Sequence, residues 1–372
     1  NVSLLGEQPY THLTHFLYGF DVCLLPFQNI PLTQATNPVK VYEYLCSGKH
    51  VVCVDLPEIS QFGELVFKGK SHQEFVRLVG KCLDQPPTNE LIALRQAFAS
   101  SQTWNHRAQQ FMDSLSNIRW PSMSVVVLTY NNWSYTEACL KSVLNTSDYP
   151  GRLEVVISDN GSTDETIERL KEWQVRDSRL KLVLNGTNLG FAAGNNAGLG
   201  VASGDFLVML NNDTVVTRGW LLTMWRHFQQ TPLLGLLGPV TNNIGNEAKV
   251  SVHYDKPDDM PAAAREYTLP RMKQVFPIRT LAFFCVMLPR NVLNTVGLLD
   301  EQFGAGFFED DDYCRRVEHH GYTLACAEDV FVHHHLSASF DQVPNLARRS
   351  LFEKNKAYYE SKWGSWDPHQ YR

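Results

Sequence analysis

The sequence lacks the features that would place it among membrane-spanning or nucleic-acid-binding proteins. Its longest apolar run, Leu281 to Leu288, falls far short of the roughly 20 residues that a membrane span needs. Positive charge is not in excess, since the net charge is −6 and the pI is about 6.1. A surface of this charge argues against a nucleic-acid partner.

Cysteine pairs are missing as well. The 8 cysteines are scattered, none forms a C-x-x-C pair, and several stand in apolar runs. This pattern is typical of buried free thiols in a reducing compartment, so we expect a cytoplasmic protein. Any membrane contact would then be peripheral, at the inner face of the membrane, or through regions outside this sequence.

The length of the chain favours two domains. With 372 residues it exceeds one average domain, and its 44% hydrophobic and 19% charged residues are those of a globular protein. Trp120-Pro121-Ser122 is a plausible joint, because proline interrupts the helical pattern before it. We therefore expect domains at residues 1–119 and 120–372.

Short apolar runs alternate with helical patterns in the first domain. Asp21–Pro26 and His50–Val54 are typical of buried strands, and Val39–Cys46 is typical of a helix. Strands that alternate with helices predict an α/β fold with a parallel sheet.

Residues 37–52, and later Thr103-Trp-Asn-His-Arg107, resemble the donor-binding half of GT-B-fold glycosyltransferases. The resemblance implies a half-Rossmann segment in which Glu43 would hold a nucleotide ribose. A complete GT-B enzyme places its site between two such halves, and one half is present. The segment is therefore interpreted as structural or truncated, and catalysis is not assigned to Glu43.

Apolar runs with polar ends recur in the second domain. Strands are predicted at Ser124–Asn131, Leu153–Ser158, Leu180–Leu184 and Asp205–Leu210. Ligands bind at the carboxyl edge of open α/β sheets, so side chains that follow these strands should converge. Each of them taken singly is also an ordinary turn or cap residue.

Six ordered blocks resemble family-2 glycosyltransferases of the GT-A fold, closest to the bacterial rhamnosyltransferase-like group. The blocks are Val125–Asn131, Ser158–Asp164, Asn188–Phe191, Leu210–Thr214, Gly297–Asp300 and Phe308–Tyr313. The resemblance covers Ser124 to about Phe340 and implies a GT-A-type, Rossmann-like domain that binds a nucleotide sugar.

By this resemblance, Asp159 bonds to a pyrimidine ring, as in a UDP- or dTDP-sugar. Thr129 and Tyr130 flank the base, and the loop of Asn188, Gly190 and Phe191 brings backbone close to the nucleoside. A role for Asp159 as a turn residue stays open from its residue type alone.

Asn211-Asn212-Asp213 stands where the family has Asp-x-Asp. The remaining carboxylate, Asp213, is expected to bind Mn or Mg, which prefer oxygen ligands. Asn212 would reach the ribose or a metal-bound water. The resemblance gives His333 as a further metal ligand, although His333-His-His335 is also compatible with a solvated turn.

Glu309-Asp-Asp-Asp312 is the candidate acceptor side. Adjacent acids repel one another, which raises pKa values, although acids also favour a solvated helix N-terminus. The resemblance assigns the catalytic base to Asp310. Glu309 would contact the acceptor, and Asp312 would orient a neighbouring group or the acceptor.

The resemblance, carried by these residues, implies an inverting, metal-dependent glycosyltransferase of bacterial surface polysaccharide synthesis. The donor would be a UDP- or dTDP-sugar and the acceptor a glycan or lipid-linked hydroxyl. The alternative is a non-catalytic nucleotide-sugar-binding or scaffolding module of a polysaccharide assembly complex, which the single carboxylate of Asn211-Asn212-Asp213 favours. We also expect a core strand over Leu281–Leu288 and a helical tail over Arg348–Trp363.

Overall fold

The computed structural model describes residues 3, 5–146, 148–335 and 345–371. The chain divides into two compact units, Asn1–Ile118 and Arg119–Arg372. Both units mix helices with parallel strands, which is the α/β class expected from the sequence. In the described part of the chain, no helix is both long and apolar enough to cross a membrane.

The first unit is built on a three-stranded parallel sheet of order β1-β2-β3. Its central strand is almost completely buried, which explains the apolar run after His50. The strands are β1 Val22–Leu25, β2 His50–Val54 and β3 Phe67–Gly69. The helices are α1 Leu13–Gly19, α2 Pro31–Gln34, α3 Val39–Cys46, α4 His72–Asp84, α5 Asn89–Ser101 and α6 Trp104–Ser116.

The second unit contains one nine-stranded mixed sheet. Its strands are β4 Met123–Thr129, β5 Leu153–Asp159, β6 Leu180–Leu184, β7 Phe206–Asn211, β8 Thr214–Val216, β9 Leu234–Val240, β10 Val275–Pro277, β11 Cys285–Pro289 and β12 Thr323–His334. Its helices are α7 Trp133–Thr146, α8 Thr166–Arg176, α9 Phe191–Val201, α10 Trp220–Gln230, α11 Met260–Thr268, α12 Arg290–Val296, α13 Glu309–His319 and α14 Asn345–Trp363.

The sheet order is β10-β12-β9-β11-β7-β4-β5-β6, with β8 paired to β12. Strands β7, β4, β5 and β6 run parallel to one another, so their carboxyl ends share one edge. The register keeps these ends level, because Thr129 lies opposite Asp159 and Leu128 lies opposite Asn211. This edge carries the polar residues singled out in the sequence.

Alternate residues of the central strands enter two apolar clusters. Val125 and Val127 belong to one cluster, and Val126 belongs to the other. Helices therefore cover the sheet on both sides, and the strands are nearly continuous apolar runs rather than alternating ones.

The strand predicted over Leu281–Leu288 is wrong at its beginning. Strand β11 starts at Cys285, which lies opposite Leu210 of β7. One further bond, from the Asn211 N–H to the Phe284 carbonyl, closes the ladder where β7 ends. Residues 281–284 lie outside the strand, and Leu281, Phe283 and Phe284 among them are buried.

Candidate active site

The end of β4 is joined to the stretch after β7 by side-chain hydrogen bonds. The Thr129 hydroxyl lies 2.8 Å from the hydroxyl of Thr136 on α7. Asn212 Nδ2 donates to Thr136 Oγ1 at 2.9 Å and to Thr129 Oγ1 at 3.3 Å. The Asn212 amide thus points inward in this structure, and its expected contact with a ribose stays a prediction. Tyr130 follows Thr129 directly and is partly exposed.

Asp159, at the end of β5, is completely buried and fixes the loop that follows it. Its Oδ1 accepts bonds from the N–H groups of Gly161 and Ser162 at 3.0 and 2.9 Å, and its Oδ2 accepts the Ser162 hydroxyl. Asp159 therefore does act as a turn residue, the role that its residue type left open. The expected contact between Asp159 and a pyrimidine stays a prediction.

The glycine loop is positioned by two asparagines. Asn188 Oδ1 accepts the Gly190 N–H at 3.0 Å, and Asn160 Nδ2 donates to the Gly190 carbonyl at 3.0 Å. Gly190 has φ +88°, and a Cβ there would lie 2.2 Å from the Gly304 carbonyl oxygen. Only glycine fits this contact. Asn160 was not recognised in the sequence, although it directly follows Asp159.

A hydrogen bond also joins the glycine loop to the segment that leads into the acid-bearing helix α13. The Phe191 N–H donates to the Gly304 carbonyl at 3.2 Å, and the loop that contains Gly304 leads into α13 at Glu309. Two parts of the predicted site, far apart in the sequence, therefore meet at one edge of the sheet.

Asp213 lies beside His334 rather than beside His333. His334 Nε2 is 3.3 Å from Asp213 Oδ1, and its Nδ1 is 2.9 Å from the Asn243 carbonyl oxygen. A carbonyl only accepts hydrogen bonds, so Nδ1 carries the hydrogen and Nε2 faces the carboxylate. Both side chains are largely buried.

Both ring nitrogens of His333 already have partners. Nδ1 faces the Tyr254 hydroxyl, and Nε2 lies 3.1 Å from His335 Nδ1. Burial, with smaller contributions from His335 and His334, lowers the pKa of His333 to about 4. The histidine run is thus packed against its neighbours rather than forming a solvated turn.

A divalent ion would find an incomplete set of ligands here. Among the described residues, no group of three His, Cys, Asp or Glu side chains could hold a metal. Asp213 and His334 supply one carboxylate and one imidazole nitrogen that converge. These ligand types suit Mn²⁺, provided that a bound diphosphate adds further oxygens.

The four acids begin helix α13 and are less solvated than an exposed N-terminus would be. Glu309 is 8% exposed, and among the described residues its Oε2 has no hydrogen-bond partner. Burial and then the charge of Asp310 raise the pKa of Glu309 well above its ordinary value. Asp310 itself is partly exposed. Burial, followed by the charge of Asp311, raises its pKa to about 7.

Asp311 and Asp312, the next two acids, bind side chains of the carboxyl-terminal segment. Asp312 is completely buried and accepts bonds from Arg316 Nε and Trp363 Nε1, both at 2.9 Å, and from Lys362. Asp311 Oδ1 lies 2.9 Å from His369 Nε2. Asp312 thus orients the tail, and its carboxylate oxygens already accept hydrogen bonds from protein groups.

The predicted tail helix is present as α14, and it also supports the loop before α13. Asn355 Nδ2 lies 2.7 Å from the carbonyl oxygens of Phe303 and of Gly306. This support was not foreseen, because the tail pattern indicated only packing.

Residues 124–297 match the family model described as "Glycosyl transferase family 2". The matched residues all lie in the second unit, which is similar to this family over that stretch. Its mixed α/β sheet agrees with the GT-A-type fold that the sequence indicated. No comparison tests the GT-B-like interpretation of the first unit, which stays a prediction.

Two curated relatives and one solved structure illustrate the similarity. An uncharacterised protein of Sinorhizobium fredii, y4gI, is 24% identical over 66% of this chain and 28% of its own length. The GalNAc(5)-diNAcBac-PP-undecaprenol beta-1,3-glucosyltransferase of Campylobacter jejuni is 36% identical over 28% of this chain and 33% of its own length. A Pyrobaculum calidifontis mannosyltransferase structure with GDP-Man and Mn²⁺ is 22% identical, with coverage of 67% and 68% and a TM-score of 0.46.

The chain spans only about a third, or less, of the length of these two curated relatives. Activity, substrates and partners of the whole proteins are therefore not transferred directly. The similarity to the solved structure, with its TM-score below 0.5, is too loose to carry a functional argument.

Proposed function

We propose that the second unit is an inverting glycosyltransferase of family 2. Its donor would be a UDP- or dTDP-sugar, and its acceptor a hydroxyl group of a glycan or lipid-linked glycan. The match to the family model supports sugar transfer. The name of the Campylobacter relative supports an acceptor carried on a lipid diphosphate. Surface polysaccharide synthesis is the corresponding process.

The environment of Asp310, at the start of α13 beside Asp311, is the observation that carries the proposal. A general base works best when its pKa lies near the operating pH, and that of Asp310 is raised to about 7. The carboxylate would take the proton of the acceptor hydroxyl. The acceptor oxygen then bonds to the anomeric carbon as the bond to the diphosphate breaks on the opposite face, and this single displacement inverts the configuration.

Backbone and amide groups would bind the donor. The Gly190 loop comes close to the donor nucleoside, with Tyr130 and Asp159 on the base side and Asn212 and Asp213 on the phosphate side. A Mn²⁺ or Mg²⁺ ion would supply positive charge beside the leaving diphosphate.

We propose Asp213 as the first metal ligand. Its carboxylate lies near His334, whose other nitrogen is held by a carbonyl, an arrangement common among metal-binding histidines. This geometry favours His334 as the second ligand, whereas the sequence resemblance favours His333. Glu309, buried with an unpartnered oxygen in the described structure, is proposed to face the acceptor.

The alternative of a non-catalytic sugar-nucleotide module also has a supporting observation. Asn212 is bonded to Thr129 and Thr136, and one carboxylate remains where the family has two. A binding module would need the donor pocket but would not need an ionisable Asp310.

The test combines binding with turnover. The 372-residue chain is screened by thermal shift against UDP, dTDP, GDP and their sugars, with and without Mn²⁺. A nucleotide at 100 times its Kd stabilises the fold by about 2.7 kcal/mol. Sugar transfer to a lipid-linked acceptor is then compared for wild type and Asp310→Asn. Binding without transfer in either protein would support the module, and absence of both would refute the proposal.

A further inference from the structure

A basic cleft lies on the second unit, formed by α10, the end of α11, the residues that follow it and β12. It encloses about 180 Å³. Four cationic side chains, Arg218, Arg226, Arg265 and Lys273, line it together with the apolar residues Leu269 and Met272. In a chain of net charge −6, four cations around one small cavity are unusual.

Most of this positive charge is uncompensated. Arg218 forms an ion pair with Asp148. Within the part of the chain that the structure describes, Arg226, Arg265 and Lys273 have no carboxylate at ion-pair distance. Like charges that converge without a counter-charge repel one another, and a bound anion relieves this repulsion.

The single acid of the cleft, Asp329, is already satisfied. Its Oδ1 lies 2.7 Å from Nε2 of the buried His227, and its Oδ2 accepts the Lys273 N–H at 2.7 Å. These bonds fix the floor of the cleft and the backbone of Lys273, which has φ +66°. The carboxylate is therefore held by the protein frame, and four cations around this one acid leave the cleft with an excess of positive charge.

The rim of the cleft is apolar and open. Leu269 is 53% exposed and Met272 is 54% exposed, beside Arg265 and Lys273. Exposed apolar side chains that alternate with basic ones are typical of surfaces that lie at the membrane interface. The cleft volume of about 180 Å³ is more than ten times the roughly 10–15 Å³ that a cavity needs to hold one water, so a phosphate group fits.

We propose that the basic cleft binds the phosphate of an anionic phospholipid headgroup, with Leu269 and Met272 inserted beside it. The cleft is separate from the candidate active site, because Asp329 precedes His334 by five residues on β12, roughly 16 Å along a strand. Docking here would hold the domain at the membrane surface where a lipid-linked acceptor lies. That consequence rests on the proposed function, but the binding itself does not.

The test is co-sedimentation of the 372-residue chain with vesicles. Vesicles of phosphatidylcholine alone are compared with vesicles that also contain phosphatidylglycerol. The test variant carries Arg226→Gln, Arg265→Gln and Lys273→Gln. A matched control removes three exposed cations elsewhere on the same unit, through Arg152→Gln, Lys171→Gln and Lys256→Gln.

We expect wild type and control to bind the anionic vesicles, and the cleft variant to bind roughly 100-fold more weakly, as three surface cations imply. Leu269→Ser with Met272→Ser should weaken binding without any change of charge. Equal losses in control and cleft variants, or no binding to anionic vesicles, would overturn the proposal. So would binding of inorganic phosphate in the cleft without vesicle binding.

Folding and catalysis are checked separately. Each variant should keep the wild-type circular dichroism spectrum and thermal midpoint, since all six charged side chains are exposed. If the domain transfers sugar, the cleft variant should keep full activity towards a water-soluble acceptor. If no transfer is found, the vesicle result still decides the cleft, so the two failures are distinguishable.

Discussion

Asp310→Asn gives the sharpest test of the site, because one substitution should change activity and stability in opposite directions. The pKa of Asp310 rises from 3.8 to about 7, first through burial and then through Asp311, while His369 opposes the rise. Asn keeps the oxygen that accepts the Asp311 N–H at 2.9 Å. The substitution therefore removes the charge and leaves most of the local geometry.

The sign of the stability effect is set by proton linkage. A carboxyl group whose folded pKa is raised stabilises the fold fully below pH 3.8, and this stability is lost as pH rises towards about 7. The complete rise corresponds to roughly 4 kcal/mol at about 1.36 kcal/mol for each pKa unit. Between pH 5 and pH 8, the free energy of unfolding of Asp310→Asn should gain about 2–3 kcal/mol relative to wild type.

Urea unfolding followed by tryptophan fluorescence measures this difference. Seven of the 8 tryptophans lie in the second unit, so the signal reports mainly on the relevant domain. Asp258→Asn, at an exposed position, is the matched control for the loss of one carboxylate. A difference between Asp310→Asn and wild type that stays constant from pH 5 to pH 8 would refute a raised Asp310 pKa.

Activity completes the test. Wild-type kcat/KM should rise with pH and level off above about 7, as Asp310 ionises. Asp310→Asn should lose roughly 10²–10⁴-fold, the usual contribution of a general base. Near-normal transfer by the purified variant would show that Asp310 is not the base, whatever its pKa.

Three further predictions concern the donor side. Asp213→Ala should weaken nucleotide binding measured by thermal shift with Mn²⁺, and unchanged binding would contradict its proposed metal role. His334→Gln should reduce the Mn²⁺-dependent part of that binding more than His333→Gln, because His334 Nε2 faces Asp213 at 3.3 Å; the reverse order would restore His333 as the ligand. Gly190→Ala puts a methyl carbon 2.2 Å from a backbone oxygen, whereas Gly186→Ala, also at positive φ, has nothing within 4 Å. We therefore expect the first to cost about 1–3 kcal/mol more in urea unfolding than the second, and similar costs would argue against a fixed loop contact.

The sequence by itself determined much of the local structure. Helix α3 and strand β6 have the predicted bounds, Val39–Cys46 and Leu180–Leu184, because apolar spacing and turn residues act over a few neighbours. That the polar residues at the ends of β4, β5 and β7 lie at one edge of the sheet was also predictable. Parallel strands must end at a common edge, so polar residues at strand ends become neighbours without further information.

Contacts between segments that are distant in the sequence decided the remaining strand bounds and the partners of the site residues. Leu281–Leu288 is uniformly apolar, and only the end of its partner β7 sets the strand start at Cys285. In the same way, the run of three histidines offers three candidate metal ligands in the sequence. The packing of the strands places His334, rather than another of the three, beside Asp213. The four adjacent acids look alike in the sequence, but the fold gives them different surroundings. Tail residues donate hydrogen bonds to the Asp312 carboxylate. Burial and the charge of Asp311 raise the pKa of Asp310 to about 7. Residue type fixes what chemistry is available, and tertiary structure fixes each side chain's partners, solvent and charge.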